Sequence, residues 1–93
     1  MTFLFSDLEG STRLWEAHGE EMRSALAAHD EIVRKALESA GGLVFATGGD
    51  GFGAAFSRAG EAVAAALAAQ HSLAAQDWPE GISLRVRMGL HTG

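Results

Sequence analysis

The chain has 93 residues, with 12 acidic and 7 basic side chains and a net charge of −5. That length holds one domain, and that charge argues against a general nucleic-acid binder, which needs a basic footprint to neutralise backbone phosphates. Cysteine is absent, which excludes disulfides and thiolate metal sites; neither a spanning stretch of roughly 18 apolar residues nor a secretory leader is visible, so the expected setting is the cytoplasm.

Thr2 to Ser6 reads as a short, mostly apolar strand, central in a sheet. Asp7 to Gly10 reads as a turn, and Ser11 or Thr12 as the cap of the helix that follows. Leu14 and Trp15 give that helix its apolar bulk, and Gly19 marks a kink or a break. From Glu20 to Ser39 the helical period is clear. Met22, Leu26, His29, Val33 and Ala36 recur at steps of three and four, and Ala25, Ile32 and Leu37 widen the face. Gly41 and Gly42 end it. Leu43 to Thr47 and Phe52 to Phe56 read as strands joined by Gly48 to Gly51, and so as antiparallel neighbours.

Glu61 to Ala75 reads as an alanine-rich helix with an apolar stripe of Val63, Ala66, Leu67, Leu73 and Ala74. Asp77 to Gly81 is a loop, because Pro79 lacks a donor and restrains Trp78. The last strand alternates: Ile82, Leu84, Val86, Met88 and Leu90 face one way, and Ser83, Arg85, Arg87, Gly89 and His91 the other. The order β-α-β-β-α-β predicts an α+β fold of ferredoxin-like or palm type, an antiparallel sheet with helices on one face.

The chemistry centres on two aspartates. Asp7 follows the first strand, and Asp50 sits in the turn Gly48-Gly49-Asp50-Gly51. If the fold joins them, two carboxylates from distant sequence hold a hard cation such as Mg²⁺. Amides near Gly10, Ser11 and Thr12 are then placed for phosphate oxygens, with Gly10 permitting close approach. Two metals about 3.5–4 Å apart can share such a pair. The plainer alternative makes Asp7 a helix cap and Asp50 a turn residue.

Other polar residues have milder readings. Glu9 is a first-turn helix charge or a solvated one. His29 lies on the apolar helix face, as an interior or interface histidine with its hydrogen bonds satisfied. His18 and His71 are exposed or half-exposed, without partners at ligand spacing. Arg85 and Arg87, on the polar strand face, either steer phosphates or meet solvent and acidic helices. Trp15 and Trp78 read as anchors of a helix start and a loop.

Three strings carry a family resemblance. Phe3-Leu4-Phe5-Ser6-Asp7-Leu8-Glu9-Gly10-Ser11-Thr12 resembles the opening motif of class III adenylate/guanylate cyclase catalytic domains. Thr47-Gly48-Gly49-Asp50-Gly51-Phe52, followed by Ala54-Ala55-Phe56, resembles their second metal-aspartate hairpin. Arg87-Met88-Gly89-Leu90-His91-Thr92-Gly93 resembles the strand and loop that come next. They occur in the family's order, and residues 1–93 read as a partial domain, about the N-terminal half.

The resemblance implies that Asp7 and Asp50 ligate two Mg²⁺ or Mn²⁺ ions, with the Leu8 carbonyl as a further ligand. Gly10, Ser11 and Thr12 would line the triphosphate site. The implied reaction is attack of the ribose 3′ oxygen of ATP on the α-phosphate, with pyrophosphate leaving. The implied assembly is a homodimer, or a pair with another cyclase chain, in which each site is completed across the interface. Two departures stand out. Where the family commonly carries a base-recognising lysine, this chain has Ala46, which leaves ATP against GTP open. The family's asparagine and arginine that stabilise the transition state lie beyond Gly93, so this chain alone is expected to turn over little or nothing. Two other readings follow: a non-catalytic regulatory or dimerising module, and a diguanylate-cyclase-like enzyme suggested by Gly48-Gly49-Asp50-Gly51-Phe52, though Gly51 stands where that family has an acidic residue.

Overall fold

A computed structural model describes residues 1–48 and 51–93. In chain order it contains β1 (Thr2–Leu8), α1 (Ser11–Ala17), α2 (Gly19–Ser39), β2 (Leu43–Gly48), β3 (Gly51–Phe56), α3 (Ala59–Ala75) and β4 (Val86–Thr92). The strands form one sheet in the order β2-β3-β1-β4, and every neighbouring pair is antiparallel. The expected α+β architecture is therefore present, with β1 central and α2 and α3 packed together over one face.

The period of two along β1 decides which face that is. Thr2, Leu4, Ser6 and Leu8 are buried, while Phe5 between them is half exposed. Phe52, Ala54 and Phe56 of β3 point the same way and close a core with Leu4, Val33, Leu37, Ala62, Ala65 and Leu73. Each large side chain buried there contributes about 1.5–3 kcal/mol of apolar transfer. A second cluster, Leu8, Met22, Ala25 and Ile82, seals the end of the sheet nearest the α1–α2 junction. The stripe read on the long helix holds: Met22, Ala25, His29, Val33 and Leu37 are its buried residues.

Four local readings need correction. The first strand does not stop at Ser6; Asp7 and Leu8 continue it, paired with Arg87 and Val86 of β4. Neither Ser11 nor Thr12 caps α1, because Gly10 takes the cap position with φ +69 and no side-chain cap bond forms. A left-handed residue there turns the chain within one position, which suits glycine and disfavours any residue with a Cβ. On α3 the buried residues are Ala62, Ala65, Ala69 and Leu73, whereas Val63 and Leu67 are 44% and 67% exposed. Small side chains let α3 approach the sheet and α2 closely, and the larger ones are left outside. Finally, β4 begins at Val86 and not at Ile82. β1 ends at Leu8, so residues before Val86 have no strand to pair with; one backbone bond, Glu9 amide to Arg85 carbonyl at 2.8 Å, closes the ladder.

The break expected near Gly19 is real and falls at His18, between α1 and α2. Trp78 anchors its loop as expected: its indole donates to the Leu73 carbonyl at 3.0 Å. Trp15 does not anchor in the same sense and remains 38% exposed.

His29 is wholly buried, with Nδ1 2.9 Å from Asp30 Oδ1 and its ring beside Phe52. It is not fully satisfied, since Nε2 has no hydrogen-bond partner among the described residues. An orphaned buried polar atom costs about 1–3 kcal/mol, whereas an apolar replacement of similar size avoids that cost. His29→Leu is therefore expected to raise stability by about 1 kcal/mol, which urea denaturation reads as a higher midpoint at unchanged slope.

Candidate metal and nucleotide site

The helices leave the other sheet face open. Phe3, Phe5 and Asp7 of β1 point to it, as do Arg87, Gly89 and His91 of β4, their register partners being Asp7–Arg87, Phe5–Gly89 and Phe3–His91. Phe45 of β2 joins them, edge-to-face with Phe3 and Phe5 at centroid distances of 6.1 and 6.0 Å. Phe5 and Phe45 are each 52% exposed, so the middle of this face is an uncovered aromatic cluster.

Asp7 sits at the end of that face. Its carboxylate accepts two parallel bonds from Arg87, Nε to Oδ1 and Nη2 to Oδ2, both at 2.9 Å. Both side chains remain open to water, so a pair of this kind contributes about 0–1 kcal/mol to stability. The fork geometry is the strong form of carboxylate recognition, and it uses both oxygens of Asp7. A shallow depression of about 310 Å³ lies here, lined by Phe5, Ser6, Asp7, Arg87, Met88 and Gly89.

The remaining candidates cluster around Asp7. Leu8 is the next residue in β1, and Gly10 makes the turn from which Ser11 and Thr12 start α1. The Leu14 amide bonds the Gly10 carbonyl at 3.2 Å. The amides of Ser11, Thr12 and Arg13 precede it and have no carbonyl within the helix to accept them. A carboxylate and three amides without an intrahelical acceptor thus lie within one turn of chain.

The second aspartate, Asp50, lies outside the described residues, as does Gly49. The strand ends that flank them are described: Gly48 pairs with Gly51. Gly51 lies directly against β1, where an added Cβ would come 2.5 Å from the Ser6 carbonyl oxygen and 3.9 Å from the Asp7 Cα. Only a residue without a side chain fits that approach. Among the described residues no group of three or more His, Cys, Asp or Glu is placed to hold a metal ion. The donor chemistry at Asp7 nevertheless suits a hard cation, since a half-exposed carboxylate offers two oxygen donors at the open depression.

Ala46 faces the open side because of a bulge. The β2–β3 register shifts between Val44 and Ala46, so Val44 pairs with Ala54 and Ala46 with Gly53. A Cβ on Gly53 would lie 3.1 Å from the Phe45 ring and 3.3 Å from the Ala46 Cβ, which puts positions 45 and 46 on one face. Without the extra residue, position 46 would point with Val44 toward the helices. Arg87 is the residue whose role the sequence reading missed. Strand alternation puts it on the polar face, but its pairing with Asp7 depends on a strand register across 80 residues.

A model of the adenylate and guanylate cyclase catalytic domain family matches residues 1–93. The chain belongs to that family. An adenylate cyclase of Podospora anserina is 33% identical over 112 residues, an alignment that takes in 100% of this chain and 5% of that protein. A solved adenylate cyclase of Trypanosoma brucei, in its monomeric state, superposes with a TM-score of 0.92 at 28% identity, over 99% of this chain and 55% of that one. The guanylate cyclase domain of RhGC from Catenaria anguillulae, solved with GTP, shares the fold with a TM-score of 0.81 at 22% identity, over 96% of this chain and 53% of that one. This cyclase-family chain thus spans about half of each of those solved chains and a small part of the curated relative. No helix among the described residues is long and apolar enough to cross a membrane.

Proposed function

We propose that this chain is the metal- and triphosphate-holding part of a cytoplasmic purine nucleotide cyclase, which converts ATP to cyclic AMP and pyrophosphate. One observation carries the reading: a family match along the whole chain coincides with a carboxylate, Asp7, held on an open sheet face beside the first amides of α1, which have no intrahelical acceptor. Asp7, Asp50 and the Leu8 carbonyl would hold two Mg²⁺ or Mn²⁺ ions, whose chemistry is to acidify the ribose 3′-hydroxyl and neutralise the departing pyrophosphate. The amides from Ser11 onward take triphosphate oxygens, and Gly10 turns the chain so that they face them. Ala46 offers the purine no side-chain donor, so discrimination between ATP and GTP on this side of the site is weak.

The uncovered Phe3, Phe5 and Phe45 cluster supports a second copy, or another cyclase chain, closing over the open face. With the chain spanning 55% of a solved cyclase, the reading assigns it part of a site, and turnover by the chain alone is expected to be lower by orders of magnitude. Isothermal titration with Mn²⁺ and a nonhydrolysable ATP analogue tests the assignment. Affinity is expected to fall by about 100-fold or more when Asp7→Ala and Asp50→Ala are combined. Equal binding by the double variant and the parent chain overturns it.

A further inference from the structure

We propose that Arg87 is a built-in counter-cation for Asp7, so that a divalent ion enters this site by exchange with the guanidinium and not by simple addition. The proposal rests on the reading of Asp7 as a cation ligand and adds how that ligand is controlled. Three observations carry it. First, the fork takes both oxygens of Asp7, each at 2.9 Å. A dication on the same carboxylate would share it with a like charge, which raises the free energy of the shared state.

Second, the pair is exchangeable. Arg87 and Asp7 keep 65% and 49% of their side-chain surface in water, so separating them strands neither charge in an apolar interior. A buried pair would resist such a swap. Third, the released guanidinium has somewhere to go. Position 87 is fixed opposite position 7 by the β1–β4 ladder, and two residues along β4 stands Gly89. A Cβ on Gly89 would meet nothing within 4 Å among the described residues, so the depression beside Asp7 is open to them on that side. Glycine within a strand weakens it, and no packing among the described residues demands it here. On leaving Asp7 the guanidinium can turn into this space and remain on the same face.

The exchange predicts a result that runs against simple charge removal by mutation. Arg87→Gln is expected to bind Mn²⁺ about 5- to 10-fold tighter than the parent chain, because one competitor and one repulsive charge are gone. Arg87→Lys, which keeps the charge and loses the fork, is expected to fall between them. In the parent chain, Mg²⁺ titration followed by NMR should move the Arg87 Nε–H resonance in step with metal saturation, toward its position in Asp7→Asn.

Tighter Mn²⁺ binding by Arg87→Gln together with a moving Arg87 signal supports the exchange. Equal or weaker Mn²⁺ binding by Arg87→Gln, or an Arg87 signal unmoved at saturation, overturns the exchange while leaving Asp7 a ligand. Failure of both the parent chain and Arg87→Gln to bind Mn²⁺ overturns the ligand reading beneath it as well.

Discussion

Asp7→Asn is expected to lower cyclic nucleotide formation by at least about 100-fold, measured with a second cyclase chain present to complete the site. The substitution keeps the shape of the side chain and removes its charge. A neutral amide is a poor ligand for a hard cation and a poor acceptor for the Arg87 fork. Its effect on folding is small by comparison. The pair it breaks is solvent-exposed and contributes no more than about 1 kcal/mol, or roughly 4–8 °C in Tm for a domain of this size. The two readouts therefore separate. Activity that collapses while Tm falls by no more than that assigns Asp7 to the chemistry. Activity that tracks a large loss of Tm would make Asp7 a structural residue.

The largest stability effect is expected at Phe56. Phe56→Ala should cost about 3–5 kcal/mol, against a total of roughly 5–15 kcal/mol for a domain. The ring is 1% exposed and packs in the main core with Leu4, Leu37 and Ala62. It also fills the space above Gly42, where an added Cβ would meet two ring carbons at 2.6 Å. Core and turn are thus fitted to each other, and neighbouring side chains cannot close the cavity without moving the α2–β2 turn. Urea denaturation gives the cost from the midpoint and slope. A loss below 1 kcal/mol would mean that the ring is not where the fold places it.

Much of this architecture was legible in the residues. The helical period from Met22 to Leu37, the glycine-ended turns and the alternation in the strands were enough to give element order and class. Most of the failures share a cause, which is that the deciding partner lay elsewhere in the chain. On α3, alanine occupies so many positions that no face stands out. The choice of Ala62, Ala65 and Ala69 as the buried side reflects how closely the helix must approach the sheet, not hydrophobicity. Ile82 and Leu84 alternate like strand residues but precede the point where β1 offers a partner. Ser11 and Thr12 are good caps by composition, yet the sharp left-handed turn at Gly10 pre-empts them.

The site was legible in a similar, partial way. Asp7, Gly10, Ser11 and Thr12 are neighbours in sequence, so local reasoning placed them together. Ala46 reached the open face only through a bulge that composition does not announce. The Arg87 fork on Asp7 required the β1–β4 register, which no local pattern in either strand specifies. Both residues do sit at outward-facing strand positions, and that shared parity was the available clue.

The central claim is that Asp7 and Asp50 serve one cation. Crystals grown with Mn²⁺ and a nonhydrolysable ATP analogue test it directly through the anomalous signal of the metal. The account predicts a manganese peak at coordination distance from carboxylate oxygens of both residues, about 2.0–2.3 Å. A metal bound to the nucleotide alone, or to one aspartate with the other turned away, would contradict it.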